Sequence, residues 1–374
     1  MQAWAHYRGY MLSVFCSPAR YVQGRDATGS LGEQIKHLGL SGPALIVASA
    51  SVTAMLNDRW QEGLTANGID YSVHQFGGEC SQPEIDGGIA AAKSAGAGLI
   101  IGAGGGKALD TARAISSELG LPIVNCPTLA SSDAPCSALS VAYTPDGVFE
   151  RLIFYPRNPD LVLVDTTVVA QAPRRYLVSG MGDALATWYE ARTVIEAHSP
   201  NQLGGATTMA AQALAKLCCE TLYADGLDAA TAVDANAVTP ALERIVEANT
   251  LLSGLGFESG GLAIAHSVHN GLTAAPPTHS YLHGEKVAFG LLVQLVVEGR
   301  PAEEFEQVRA FCRTVGLPTR LADLGLAGID NATIQRIAEL TVAPGETAHH
   351  EPFPVTADLI VDGIKAADAL ASSR

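Results

Sequence analysis

The chain has 374 residues, more than one typical domain, with 48% hydrophobic and 16% charged residues; this profile builds a large core and excludes a disordered chain. Lys and Arg total 23 against 38 Asp and Glu, a net charge of −15 with no basic cluster, which excludes nucleic acid and anionic membrane surfaces as partners.

The N-terminus, MQAWAHYRGYMLSVFC, lacks a basic segment followed by a clean apolar one and is not read as a secretory signal. Residues 1–10 read as a disordered extension, with Met11 an alternative start. The first half then alternates short apolar runs with amphipathic stretches. Strands are expected at Ala44–Ala48, Tyr71–Phe76, Gly98–Ile101, Leu121–Cys126 and Leu161–Val164, with helices at Thr53–Ala66, Ile85–Ala95 and Ala108–Glu118. That alternation predicts a parallel sheet covered on both faces. Beyond about Pro173, Ala- and Leu-rich segments predict helices only: Gly182–Ala197, Gly205–Leu222, Thr239–Gly254, Lys286–Glu298 and Glu303–Val315. The expected organisation is an α/β nucleotide-binding domain over 1–174 and an all-helical metal- and substrate-binding domain over 175–374. The longest membrane-like run, Val287 to Val297, is too short to span a bilayer and contains Gln294. Seven irregularly spaced cysteines without a Cys-x-x-Cys pair argue against a disulfide framework and for the cytoplasm.

Two neighbouring segments of the first half suggest a ligand. Gly102-Ala103-Gly104-Gly105-Gly106-Lys107 lies between a strand and a helix whose first turn holds Asp110. Missing side chains let backbone N–H groups approach a pyrophosphate, and the helix N-terminus favours negative charge. The run matches neither G-x-G-x-x-G nor a P-loop. Pro127 to Ser137 is a hydroxyl-rich loop after a strand, at the sheet edge where α/β proteins bind ligands.

In the second half, three segments offer metal-ligating side chains: Asp183, placed near the start of a helix; His266 and His269, on one unusually apolar helix from Gly260 to Asn270; and His283, at another helix start. A carboxylate with two imidazoles suits zinc with an open position, or ferrous iron. Because His266 and His269 stand at i, i+3, spacing does not choose between them.

These segments, FGGECSQPEID from Phe76, GAGGGKALDTAR from Gly102, PTLASSDAPCSALSVAYT from Pro127, GMGDALATWYEAR from Gly180, TPALERIVEANTLLSGLGFESGGLAIAHSVHNGLT from Thr239 and HGEKVAFG from His283, resemble the glycerol dehydrogenase family within the iron-containing alcohol dehydrogenase superfamily. The resemblance begins near Ser17; the first fifteen or so residues and the tail after Pro344 carry no distinctive match. It implies a dehydroquinate synthase-like fold, with the active site in a cleft between the two domains. It implies NAD-linked, zinc-dependent oxidation of glycerol to dihydroxyacetone by hydride transfer from a metal-bound alkoxide. By position, Asp183, His266 and His283 are the implied zinc ligands and glycerol-side catalytic groups, with Asp133 the substrate-side carboxylate. Ser49, Gly105, Gly106, Lys107, Asp110, Thr128, Ser131, Ser137, Leu139 and Tyr143 are the implied cofactor contacts, and His269 a residue beside the metal or the nicotinamide. The family also implies a homo-oligomer, an octamer.

Two positions refine that picture. The iron-dependent branch places a fourth ligand, a histidine, where this chain has Thr187, which favours zinc. The family's ribose-binding Asp after the first strand is Ser49 here, which removes repulsion against a 2′-phosphate; no Lys or Arg lies within Ala50 to Asp58 to bind one, so NAD is the expected cofactor. Rival readings are the same chemistry on another small diol such as 1,2-propanediol, a dehydroquinate-synthase-like lyase, an sn-glycerol-1-phosphate dehydrogenase, and a non-catalytic binding protein. The lyase and the phosphate-dependent dehydrogenase need more basic residues than the metal-site segments, with chiefly Lys286, provide.

Overall fold

A computed structural model describes residues 11–373; the extension expected over 1–10 lies outside them. Two compact units emerge. One contains 16–173 and 232–251, the other 174–231 and 252–373 together with the described residues 11–15.

In the first unit, among the described residues, six parallel strands form one sheet: β1 (Tyr21–Gly24), β2 (Ala44–Ala48), β3 (Tyr71–Gln75), β4 (Leu99–Gly104), β5 (Ile123–Pro127) and β8 (Leu161–Asp165), ordered β1-β8-β5-β4-β2-β3. Every residue of β2, β4, β5 and β8 is buried, as near-continuous apolar runs require when helices cover both faces. The intervening helices are α1 (Leu31–His37), α2 (Ala50–Thr65), α3 (Gln82–Ala95) and α4 (Gly106–Leu119), with the short α5 (Thr166–Ala170) after β8. Strand order reverses between β2 and β4, which pair from Ala44↔Leu99 to Val47↔Gly102. At such a switch point the carboxyl ends of two strands diverge and leave room for a ligand. Ser49 and Gly104 lie just beyond that last pair, so the sheet brings the expected ribose-side position and the glycine run to one place.

The sequence patterns missed β1, which is short and only half-buried, and the antiparallel hairpin of β6 (Leu139–Tyr143) and β7 (Phe149–Phe154). In that hairpin β7 lacks the alternation of a half-buried strand because Phe149, Leu152 and Phe154 are exposed.

The second unit holds α6 (Arg174–Glu196), most of α7 (Met209–Asp234), α9 (Ser253–Gly260), α10 (Ile264–Leu272), α11 (His283–Val297), α12 (Ala302–Val315), α13 (Asn331–Thr341) and α14 (Ala357–Ser372). The helix α8 (Pro240–Glu247) belongs to the α/β unit, whereas the sequence places it with the helical half. Polar anchors hold the segment there: Gln23 Nε2 donates to Glu243 Oε2 (2.7 Å), Thr166 Oγ1 to Glu243 Oε1 (2.7 Å), and Asn249 Nδ2 to the Ala130 carbonyl (3.0 Å). Helical periodicity does not reveal which sheet a helix joins. The single helix expected over Thr239–Gly254 is also interrupted, by a π-helical turn at Ala248–Leu252. Among the described residues, no helix is long and apolar enough to cross a membrane.

One buried carboxyl group shapes the pH response of the helical unit. Glu351 is 7% exposed and neither carboxyl oxygen has a hydrogen-bond partner. Burial, then Glu298 and Glu190, with Glu196 also nearby, push its pKa from 4.5 up to about 9 against the pull of Arg300. Between those values the folded state holds a proton that the unfolded chain has released, so stability falls as pH rises, by up to about 1.4 kcal/mol per pH unit. Glu351→Gln keeps the shape without the titration. Its melting temperature is expected to gain on the parent steadily from pH 5 to pH 9; a constant difference across that range contradicts this account.

Candidate metal centre and nucleotide-binding edge

Asp183, His266 and His283 come from three helices that approach at backbone distance. A Cβ on Gly182 would overlap the Gly284 carbonyl, one on Gly284 the Ser179 carbonyl, and one on Gly290 the Ala265 carbonyl. These glycines let α11 press on α6 and α10, and so set His283 beside Asp183 and His266. The sequence puts Asp183 near a helix start, reading Ser179-Gly180-Met181-Gly182 as the approach to it. The structure corrects this: α6 begins at Arg174, and Asp183 sits fully buried within the helix. Gly182 serves helix–helix contact rather than chain reversal. The apolar helix expected from Gly260 to Asn270 is likewise divided, since α9 ends at Gly260, Gly261 has φ +106°, and α10 starts at Ile264. The break places His266 in the first turn of α10.

One ligand atom from each of the three residues lies within 4.8 Å of the others. Asp183 Oδ1 stands 3.3 Å from His266 Nε2 and 3.0 Å from His283 Nε2. Burial opposes ionisation of Asp183, but His283 and His266 hold its carboxyl well below the usual carboxylate range. On the far side of His266, Glu190 Oε2 is 2.6 Å from Nδ1, while Oε1 accepts from the backbone N–H of Ala263 (2.8 Å) and His266 (3.0 Å). A carboxylate offers only acceptors, so Nδ1 carries a hydrogen, and Nε2 is the nitrogen turned to Asp183. Burial works against charge on His266, yet Glu190 and Asp183 raise its pKa well above the ordinary histidine value. The site thus draws positive charge to Nε2. Two nitrogens and a carboxylate oxygen, buried and convergent, fit a divalent cation with an open coordination position.

Spacing left His266 and His269 as alternatives; geometry separates them. His269 Nε2 faces His283 Nδ1 at 3.0 Å, behind the triad. Burial, together with His283, Lys286 and His266, pulls its pKa well below the ordinary value, so the ring is neutral. Thr187, at the position of the fourth ligand in the iron branch, shares a 2.8 Å hydrogen bond with Ser253. Sequence reasoning missed Glu190. Its signal was available: Asp183, Thr187 and Glu190 share one face of α6 at i, i+4 and i+7, and all are fully buried.

The residues expected to hold a nucleotide gather in the α/β unit. A Cβ on Gly102 would lie 2.8 Å from Ala112 Cβ, so that glycine allows α4 to pack on β4. Gly105 and Gly106 differ, facing Leu129 Cδ1 at 3.3 Å and Ser132 Oγ at 4.0 Å, which leaves a side-chain-free cradle beside the hydroxyl-rich loop. Gly105 heads α4 without a capping side chain, so the first N–H groups are available to an anion. The Thr128 N–H donates to the Gly104 carbonyl (3.0 Å) and fixes the loop to the run; Ser131 is half-buried on it. Lys107 Nζ pairs with Glu79, 2.6 and 2.7 Å from its two oxygens, and lies 4.8 Å from the Tyr143 ring centroid. Leu139 and Tyr143 are half-buried on β6.

Asp110, Ser137 and Ser49, among the expected contacts, have visible structural work. Asp110 is 6% exposed, its Oδ1 accepts from Arg113 Nη2, and its Oδ2 accepts from the Val141 N–H (3.2 Å). Ser137 is fully buried, with Oγ donating to the Ala134 carbonyl (3.1 Å). Ser49 caps α2, accepting from the Val52 N–H at 3.4 Å. Asp133 is 7% exposed at the head of the short turn Ala134–Cys136, within the α/β unit.

Residues 18–166 match the model for the iron-containing alcohol dehydrogenase family. The chain is 48% identical over 367 residues to glycerol dehydrogenase of Thermotoga maritima, covering 97% of this chain and 99% of that one. It is 47% identical to glycolaldehyde reductase of Halobacterium salinarum, over 96% of this chain and 98% of the relative. The crystal structure of glycerol dehydrogenase from Schizosaccharomyces pombe superposes with a TM-score of 0.92 at 40% identity, covering 97% of this chain and 93% of that one. By full-length similarity in sequence and fold, the chain belongs to the glycerol dehydrogenases of the iron-containing alcohol dehydrogenase family.

Proposed function

We propose that this protein is an NAD-linked, zinc-dependent polyol dehydrogenase that oxidises glycerol to dihydroxyacetone. The observation that carries the reading is the convergence of Asp183, His266 and His283 in a chain this similar to glycerol dehydrogenases. When bound, the cation would supply Lewis acidity that lowers the pKa of a substrate hydroxyl, and the nicotinamide would accept hydride. Asp183, His266 and His283 would hold the metal and orient vicinal hydroxyls at it. Glu190 keeps His266 in the tautomer that presents Nε2. Asp133 would receive a hydrogen bond from the substrate and pass its proton toward water. Gly105, Gly106 and the N-terminus of α4 would bind the pyrophosphate, with Lys107 exchanging Glu79 for it. Thr128, Ser131, Leu139 and Tyr143 would line the remainder of the cofactor site, with Asp110 and Ser137 bracing it from beneath. Zinc is favoured over iron because the Thr187 hydroxyl is engaged with Ser253, so the ligand set stops at three.

The cysteines are thiols, six of the seven buried, which supports a cytoplasmic location. Exposed Phe149, Leu152 and Phe154 on β7, and Met209 at 88% exposure, support self-association.

The glycolaldehyde reductase relative favours one second reading, with a two-carbon substrate. Initial rates of NAD⁺ reduction with glycerol, 1,2-propanediol and ethylene glycol separate the two. A highest kcat/KM for glycerol is expected; a clear preference for ethylene glycol would replace it with the two-carbon reading. Cofactor choice is tested at Ser49. Aspartate also caps helices, so Ser49→Asp should fold and lower the NADP⁺/NAD⁺ ratio of kcat/KM on the order of tenfold, the equivalent of about 1.4 kcal/mol. An unchanged ratio would show that the ribose does not lie at this position.

A further inference from the structure

His283 makes no direct contact with a carboxylate on its outer side, unlike His266. Instead a file of side chains leads away from it. His283 Nδ1 is 3.0 Å from His269 Nε2, and His269 Nδ1 is 3.0 Å from Asn270 Oδ1. Asn270 Nδ2 then lies 3.0 and 3.3 Å from the two carboxylate oxygens of Glu346. His269 and Asn270 belong to α10, and Glu346 precedes the short turn Thr347–His350, in the tail that carried no distinctive sequence signal.

We infer that Glu346, acting through Asn270 and His269, is a positioning residue that fixes the tautomer of His283 and thereby the metal affinity of the triad. The inference rests on the metal reading above and follows from donor and acceptor bookkeeping. A carboxylate only accepts, so the Asn270 group facing Glu346 is the NH2, and its oxygen is turned toward His269. An amide oxygen also only accepts, so His269 Nδ1 carries a hydrogen. In the neutral ring His269 Nε2 is then a bare lone pair and must accept from His283. His283 Nδ1 therefore carries a hydrogen, and Nε2, 3.0 Å from Asp183 Oδ1, is the nitrogen left to a cation. Every bond in the file donates outward, ending on a charge. Both imidazoles thus reach the same state from opposite sides: His266 through Glu190 directly, His283 through three intervening bonds to Glu346. Outer partners of this kind commonly change metal affinity by about 10- to 100-fold.

The inference makes a directional prediction that a packing role would not. Glu346→Gln keeps an acceptor oxygen for Asn270 and should leave the Zn²⁺ dissociation constant within about threefold of the parent. Glu346→Lys offers only donors. Asn270 must then turn its oxygen outward and its NH2 toward His269, every hydrogen bond reverses, and His283 Nε2 acquires the hydrogen. Zn²⁺ should bind about 10- to 100-fold more weakly, although Lys is not in contact with the triad. Asn270→Leu, which severs the file, should weaken binding in the same range. The experiment is chelator competition for Zn²⁺ on the full-length proteins, with the Co²⁺ visible spectrum reporting coordination and the metal-free melting temperature reporting the fold. The parent and Asp183→Asn are run in parallel. Parent-like Zn²⁺ affinity in Glu346→Lys and Asn270→Leu, with Asp183→Asn defective, would overturn this inference alone. Equal losses in Glu346→Gln and Glu346→Lys would also overturn it, since acceptor character would then be irrelevant. A parent that fails to bind Zn²⁺, or an Asp183→Asn protein that binds it as the parent does, would overturn the metal reading beneath it.

Discussion

An Asp183→Ala protein is expected to fold and to lose bound divalent metal together with at least about 10³-fold of its turnover, several kcal/mol of transition-state stabilisation. Asp183 is fully buried and its carboxylate faces the Nε2 atoms of both His266 and His283. It is the group around which the other two are arranged. Its removal leaves two imidazole nitrogens without the anion that balances a cation, so affinity falls much further than loss of one neutral contact would produce. The helix that carries it is held independently, by glycine-mediated contact with α11 and by Glu190 bonded to the backbone of Ala263 and His266. Far-ultraviolet circular dichroism should therefore remain close to the parent while metal content, by elemental analysis, falls to background. Retained metal and turnover would remove Asp183 from the site.

The second large effect is structural. A methyl group at Gly284 would overlap the Ser179 carbonyl oxygen, 2.8 Å from Ser179 C and 2.9 Å from the Asp183 nitrogen. Those are backbone atoms in the middle of α6 and cannot rotate aside as a flexible side chain would. Relief requires α11 to move off α6, and His283, the residue before Gly284, moves with it. Gly284→Ala is expected to cost about 3 kcal/mol, the upper part of the range for overpacking, and to weaken metal binding because His283 leaves Asp183. Gly29→Ala is a useful contrast, because a Cβ there meets nothing within 4 Å. Thermal unfolding of both proteins, with and without added Zn²⁺, checks the expectation. Equal melting temperatures for the two would mean that α6 and α11 are not locked at Gly284.

Much of the α/β unit was legible in the sequence because apolar runs such as Ala44–Ala48 and Leu161–Val164 cannot be exposed without cost, and the structure buries both. The grouping of Asp183, His266 and His283 was legible mainly through resemblance. Bare spacing offered His266 and His269 equally, and only the three-dimensional path separates the one aimed at Asp183 from the one behind His283. Helix starts were misjudged where glycine has two meanings. Gly182 read as the approach to a helix start but serves close helix contact, whereas Gly261, with φ +106°, follows the end of a helix. The attachment of 232–251 to the sheet unit depends on side chains distant in sequence, such as Gln23 and Thr166 meeting Glu243, and leaves no local periodic trace. Glu190 and Glu346 escaped notice for a related reason: Glu190 matters by the histidine nitrogen it reaches and Glu346 by its bond to Asn270, which a linear pattern does not encode.

The central claim is that Asp183, His266 and His283 hold a divalent cation on which polyol oxidation depends. Its most direct test is glycerol-dependent reduction of NAD⁺ by purified protein, measured before chelation, after chelation, and after return of Zn²⁺ to one equivalent per chain. The account predicts activity that chelation abolishes and one equivalent of Zn²⁺ restores. Full activity in protein shown by elemental analysis to contain no divalent metal would contradict it.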